Sequence, residues 1–144
     1  MKAPPAGWPR ISSSVFYKDA GAAIAWLCAA FAFEVKVKIE GEDGSIEHSQ
    51  LLYGDGLIMV GASRNREGRE FCQSPQENAG ANTQSLCVQV EDADAHAERA
   101  KAAGAIIAAA PETIDYGPDY WADRTYEAID LEGHHWFFVQ RVRG

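Results

Sequence analysis

A strand, an acidic cap, an alanine-rich helix and three further strands occur in that order twice in this chain of 144 residues. A shift of 73 residues carries Ser12 to Ser85, Asp19 to Asp92, Ala20 to Ala93, Ala22 to Ala95, Ala29 to Ala102 and Ala32 to Ala105. Alanine-rich helices give some such identities by chance. The weight therefore lies in the whole order recurring at one spacing, the mark of an internal duplication.

In the first copy, Ile11 to Tyr17 is rich in strand formers, and Asp19 is placed to cap a helix from Ala20 to Phe31. Ile24, Leu27, Cys28 and Phe31 fall at helical spacing there. Phe33 to Glu40 alternates, with Val35, Val37 and Ile39 on one face and Glu34, Lys36 and Lys38 on the other, which predicts a half-exposed strand. Glycine turns at Gly41 to Gly44 and Gly54 to Gly56 lead into strands at Ser45 to Tyr53 and Leu57 to Gly61.

In the second copy, Ser85 to Val90 is a strand, Asp92 a cap, Ala93 to Ala103 a helix stopped by Gly104, and Ala105 to Ala109 a short strand. A hairpin closes the chain over Asp123 to Arg141, with turn chemistry at Asp130 to Gly133 and an apolar strand from Trp136 to Val139. Ala62 to Asn82 has no periodicity and reads as a long loop, a kind that is often functional or mobile. The expected organisation is a tail at 1–9, a first module at 10–62, an inter-module loop at 63–82 and a second module at 83–141.

Composition narrows the function classes. A hydrophobic fraction of 47% is ample for a core. The three cysteines, Cys28, Cys72 and Cys87, form no C-x-x-C pair and are expected to be reduced thiols of a cytoplasmic protein. Neither the N-terminal MKAPPAGWPR nor any later stretch has the apolar length of a signal peptide or membrane span. A formal charge of −8 with scattered basic residues argues against nucleic acid. Such acidity favours cationic ligands, and it also simply keeps a protein soluble.

Several segments carry a family likeness: Ala25-Trp26-Leu27 through Phe31-Ala32-Phe33, Asp43 to His48, Tyr53-Gly54-Asp55-Gly56, and Asp123-Arg124 through Trp136. A tandem βαβββ chain ending in D-x-x-G-H-x-W after R-x-Y resembles the vicinal oxygen chelate superfamily, that of glyoxalases, bleomycin resistance proteins and dioxygenases. Its PhnB-like and bleomycin-resistance-like branches look nearest. The resemblance implies an α+β fold of tandem βαβββ modules forming an open U-shaped barrel, with helices outside, a ligand pocket inside, and a homodimer.

In metal-using members four side chains project into that cup, and the corresponding positions here are Ser12, Met59, Ser85 and Phe137. These are no divalent-metal ligand set, which wants imidazole and carboxylate donors. Strand alternation then lines the cup with Ser12, Ser14, Phe16, Leu57, Met59, Ser85, Cys87, Gln89, His135 and Phe137, and turns Ile58, Val60, Leu86, Val88, Val90, Trp136 and Phe138 onto the helices. Such a mixed lining suits a small organic molecule.

Other side chains have two readings each. His48 shares a strand face with Gln50, and of the adjacent His134 and His135 only one faces the cup, here His135. His48, His135 and a carboxylate, Glu127 or Glu47, could hold a relocated metal or an acid/base pair, though Glu47 falls on the opposite strand face from His48; alternatively His134 serves the turn and His48 is a satisfied strand residue. Trp121, with Tyr116 and Tyr120, either stacks on a planar ligand at the cup mouth or closes the sheet edge or dimer seam. Arg124 braces the hairpin through Asp130 or Asp123, or meets an anionic ligand group. Trp26 and Trp136 belong to the core. Cys87 has no neighbouring cation to activate it, and no nucleophile triad, P-loop or dinucleotide motif is present.

Three functional readings follow. The leading one is a metal-free protein that holds a small organic ligand, with planar cationic compounds as the class to test. The second is a glyoxalase- or dioxygenase-class enzyme with a divalent metal ion, and the third is a non-catalytic dimeric module.

Overall fold

A computed structural model describes residues 1–63 and 67–144. The first module runs β1 (Ser13–Tyr17), α1 (Ala20–Phe31), β2 (Glu34–Glu40), β3 (Ile46–Tyr53) and β4 (Gly56–Ala62). The second runs β5 (Leu86–Gln89), α2 (Ala93–Ala102), β6 (Ile106–Asp115), β7 (Ala122–Ile129) and β8 (His135–Arg143). Each module is a four-stranded mixed sheet, ordered β1-β4-β3-β2 in one and β5-β8-β7-β6 in the other. The outer strands β1 and β5 run parallel to β4 and β8, and every other pairing is antiparallel. The fold is α+β, with two βαβββ modules.

Local chemistry sets the helix ends. Asp19 accepts a hydrogen bond from the Ala22 amide at 3.0 Å and Asp92 one from the Ala95 amide at 2.9 Å, so both caps are in place. Gly104 follows α2 at φ 98°, a conformation that a side chain resists. Alternation along the strands separates two faces. Val15, Tyr17, Leu51, Ile58, Val60, Tyr126, Ala128, Trp136 and Phe138 are buried against the helices in one continuous core. Trp26 packs against that core and donates from Nε1 to the Ala103 carbonyl at 2.9 Å, tying α1 to the end of α2.

Three expectations need correction. The short strand at Ala105 to Ala109 is in fact β6, which continues to Asp115 through Pro111. Its register with β7 is irregular between Ala109 and Glu112, and a proline that cannot donate is tolerated at such a break. Val35 and Val37 do not share one clean face: they pair with Leu51 and Gln50, neighbours that point oppositely, because a bulge falls between them. The segment at 62–82 holds a short 3-10 helix (Pro75–Glu77) with a capping box on Ser74, and it buries Cys72, Ser74 and Pro75. The part of that segment at 64–66 lies outside the described residues.

The modules meet at a seam along the free edge of β1. Tyr17 donates its hydroxyl to Asp130 Oδ2 at 2.6 Å, and Trp136 Nε1 donates to the same oxygen at 3.0 Å. Asp130 Oδ1 accepts from the Glu132 and His134 amides. Glu132 accepts from the Lys18 and Asp19 amides at 2.6 and 2.9 Å and from the Ser74 hydroxyl at 2.7 Å. Both carboxylates are about 5% exposed, which is tolerable only because their lone pairs are filled. Burial, with the Asp130 charge beside it, pushes the Tyr17 phenol well above its ordinary value.

Candidate functional site

The face of each sheet turned away from the helices carries the candidate residues. Ser14 pairs with Met59 and Phe16 with Gly61, and parallel pairing puts partners on one face. The Phe16 ring lies over Gly61, where a Cβ would stand 3.4 Å from it, in van der Waals contact. In the second module Cys87 pairs with Phe137, and Phe137 with Glu127. Ser12 and Ser85 stand one residue before β1 and β5.

In the first module this face is covered. A cavity of about 560 Å³ is lined by Ile11 to Ser14 and Phe16 on one side, by Phe71, Gln73, Ser74 and Pro75 from the inter-module segment, and by Asn82, Gln84 and His134. An adjoining space of about 180 Å³ shares Ser14 and Phe16 and adds His48, Met59, Arg69 and Cys72. The volume is in the range of small-molecule sites. The cavity wall is hydroxyl, amide and aromatic, and the Ser12 hydroxyl is a buried polar atom with no partner among the described residues.

His48 and Gln50 lie on β3 with the His48 and Gln50 Nε2 atoms 2.9 Å apart. Gln50 donates, so His48 Nε2 is the unprotonated nitrogen. His134 contributes more than its turn: its amide bonds Asp130, and its Nε2 donates to the Phe16 carbonyl at 2.7 Å on the free edge of β1. Gln84 donates to the next such carbonyl, Ser14, at 2.8 Å. These two bonds hold the cavity floor against the second module.

In the second module the same face is open. Ser85, Cys87 and Gln89 are exposed, and His135 stacks on Phe137 with ring centroids 5.3 Å apart and planes 4° from parallel. His135 Nε2 lies 3.9 Å from Glu127 Oε2, too far for a hydrogen bond, and has no other partner among the described residues. Burial pushes the Cys87 thiol above its ordinary value, with the Asp123 carboxylate adding to the shift, so it stays protonated at neutral pH. Trp121 lines neither cavity of the first module; the Arg141 guanidinium sits 5.0 Å over its ring, and Tyr116 and Tyr120 lie beside it.

The structure thus gathers Ser12, Ser14 and Phe16 in one cavity and His48 and Met59 in its annex, with Gln50 beside His48. It places Ser85, Cys87, His135 and Phe137 on the other module. Of the relocated metal set, His135 and Glu127 come near each other, but no group of three His, Cys, Asp or Glu side chains converges among the described residues. The positions Ser12, Met59, Ser85 and Phe137 offer hydroxyl, thioether and phenyl groups, which do not fit a divalent cation. Arg124 takes neither expected partner. It forms a two-pronged ion pair with Asp94 at 2.5 and 2.8 Å and so ties β7 to α2. Phe71, Gln73, Asn82 and Gln84 were not among the candidates; the unusual length of the loop that holds the first three marks the segment as functional without singling out a residue.

Comparisons agree with this architecture. The family model described as Glyoxalase/Bleomycin resistance protein/Dioxygenase superfamily matches residues 10–140. An uncharacterized protein of Mycobacterium bovis, Mb0911c, is 28% identical over 138 residues, which is 94% of this chain and 85% of that protein. The crystal structure of TioX from Micromonospora sp. ML1 superposes with a TM-score of 0.72 at 28% identity, covering 93% of this chain and 99% of that one. A glyoxalase I variant from Zea mays shares the fold at 16% identity and a TM-score of 0.68, over 90% of this chain and 43% of that one. Among the described residues no helix is long and apolar enough to cross a membrane.

Proposed function

We propose, from the premise that this chain belongs to the glyoxalase/bleomycin resistance protein/dioxygenase superfamily, that it binds a small organic molecule without a metal, as a bleomycin-resistance-like or PhnB-like member. The observation that carries the reading is the cavity of about 560 Å³ over Ser12, Ser14 and Phe16. It stands where metal-using relatives begin their ligand set, and its groups suit an apolar ring with a few hydrogen-bonding substituents. The net charge of −8 makes a planar cation the preferred ligand class, with Phe16 and Phe71 as stacking partners. The second module's face completes the cup when a partner chain of a cytoplasmic homodimer brings His135 and Phe137 opposite it.

A second reading rests on one contact. His135 and Glu127 lie 3.9 Å apart with the imidazole nitrogen unsatisfied, which is the start of a donor set but not a complete one.

A thermal-shift screen of planar aromatic cations against metal-stripped protein tests the proposal. At about a hundredfold excess over Kd, a true ligand raises the Tm by more than about 5 °C. Ser14→Trp, which fills the cavity, removes that rise while leaving the ligand-free Tm within about 3 °C. A rise that survives in this variant places the ligand elsewhere.

A further inference from the structure

The duplication creates a second seam, where the free edge of β5 faces the turn between β3 and β4. At the first seam the free-edge carbonyls of Ser14 and Phe16 are taken by Gln84 and His134. A shift of 73 residues carries those carbonyls to Cys87 and Gln89. The Val90 amide bonds Val139 on β8, so by strand alternation Cys87 and Gln89 turn their amides and carbonyls away from β8. No side chain or backbone group of the first module bonds them among the described residues. Ile11 stands 73 residues before Gln84, and strand register aligns Gly56, three residues before Met59, with His134, three before Phe137; neither has a side-chain donor.

The gap left there has a volume of about 340 Å³. Its walls are Phe33, Tyr53 and Leu57 from the first module and Leu86 and Val88 from β5. It meets a second hollow that shares Tyr53, Asp55 and Gln89 and continues past Glu91 and Asp92. Asp55 and Glu91 are exposed and form no ion pair among the described residues. Arg99, the one cation among the described residues lining that hollow, is spent on the Cys28 and Ala29 carbonyls at the end of α1.

We propose that this seam is a docking groove for a short extended peptide with apolar and basic residues, which adds to β5 as an extra strand. Alternating amides and carbonyls on an open edge recognise another extended backbone. Alternate side chains of the guest then reach Phe33 and Tyr53, and a basic one answers Asp55 and Glu91. With four residues, β5 offers an edge about 13 Å long, enough for a guest of about four residues. The groove shares Ile11 and Ser13 with the cavity over Ser14, but its aromatic walls and acidic residues lie outside that cavity, and it does not depend on the ligand proposed there.

The test is an ¹⁵N-resolved NMR titration of the whole chain with acetyl-Val-Lys-Val-amide. Saturable shifts centred on the Cys87 and Gln89 amides, with slower hydrogen exchange at both, are expected. Methylating the central backbone nitrogen of the peptide weakens binding about tenfold if the strand bond forms. Asp55→Lys on the exposed turn weakens the lysine peptide and favours acetyl-Val-Glu-Val-amide. Equal binding of the methylated peptide, shifts centred on Ser14 and Phe16, or no shift at millimolar peptide each overturns the proposal. Tight binding of n-butylamine with the same shifts also overturns it, since the groove then takes a small amine and not a strand.

Discussion

The two seams descend from one repeated plan, yet one is sealed with buried carboxylates and the other is left open. At the sealed seam, the turn between β7 and β8 supplies Asp130, Glu132 and His134, and each reaches into the first module or its linker. At the open seam, the turn between β3 and β4 supplies Gly54, Asp55 and Gly56, and β5 keeps its edge free. The lesson is that duplicated backbone does not imply duplicated chemistry. One turn has become the cement that fixes how the modules sit, and the other is free to line a groove.

The strongest way to break this comparison is to remove one carboxylate from each turn. Asp130→Ala leaves the Tyr17 hydroxyl, the Trp136 indole and two amides without their acceptor, and is expected to cost about 3–5 kcal/mol in urea denaturation. Asp55→Ala, at an exposed turn, changes stability by less than about 0.5 kcal/mol. Equal losses would mean that the seams do not differ as described.

A pH titration sharpens the same contrast from the open side. His96 lines the hollow beside the open seam and joins the modules, accepting from the Tyr126 hydroxyl at 2.5 Å on Nδ1 and donating from Nε2 to the Phe31 carbonyl at 2.9 Å. The carbonyl can only accept, so Nε2 carries the hydrogen, and in the neutral ring Nδ1 takes the Tyr126 hydroxyl hydrogen. Burial, joined by the Arg99 charge, holds its pKa below the ordinary 6.5, although the bond to Phe31 opposes the shift. A depressed folded-state value means that stability is complete above 6.5 and is lost as pH falls from there through the folded-state pKa. Urea midpoints measured from pH 7.5 down to 5 should show that decline, and His96→Gln should flatten it.

The smallest effect is expected from Gln84→Ala. It strips one donor from the Ser14 carbonyl at a site water can reach, for a cost of about 0.5–1 kcal/mol by denaturation. A much larger loss would show the side chain to be a main support of the cavity floor.

What the sequence made legible was local or periodic. Asp19 and Asp92 are caps because the acidic residue precedes its helix, and alternation correctly turned Val60, Trp136 and Phe138 to the core. Pro111 hid the continuation of β6, since a proline usually ends a strand unless the register slips around it. Arg124 found its partner on α2, thirty positions away in sequence, where no hairpin reasoning looks. Asp130 to Gly133 read only as turn chemistry, and tertiary contacts alone reveal that Asp130 and Glu132 are buried. The loop over Ser14 and Phe16 carries no periodicity, so its residues could not be assigned to a cavity wall in advance.

Metal content tests the central claim most directly. Metal-free protein incubated anaerobically with Fe(II), Mn, Ni or Zn in turn, then desalted, is assayed by elemental mass spectrometry. A metal-free binding protein retains well below one ion per chain, roughly a tenth or less, for every metal. About one ion per chain, lost in His135→Ala or His48→Ala, would contradict it and identify a metal centre built across the two modules.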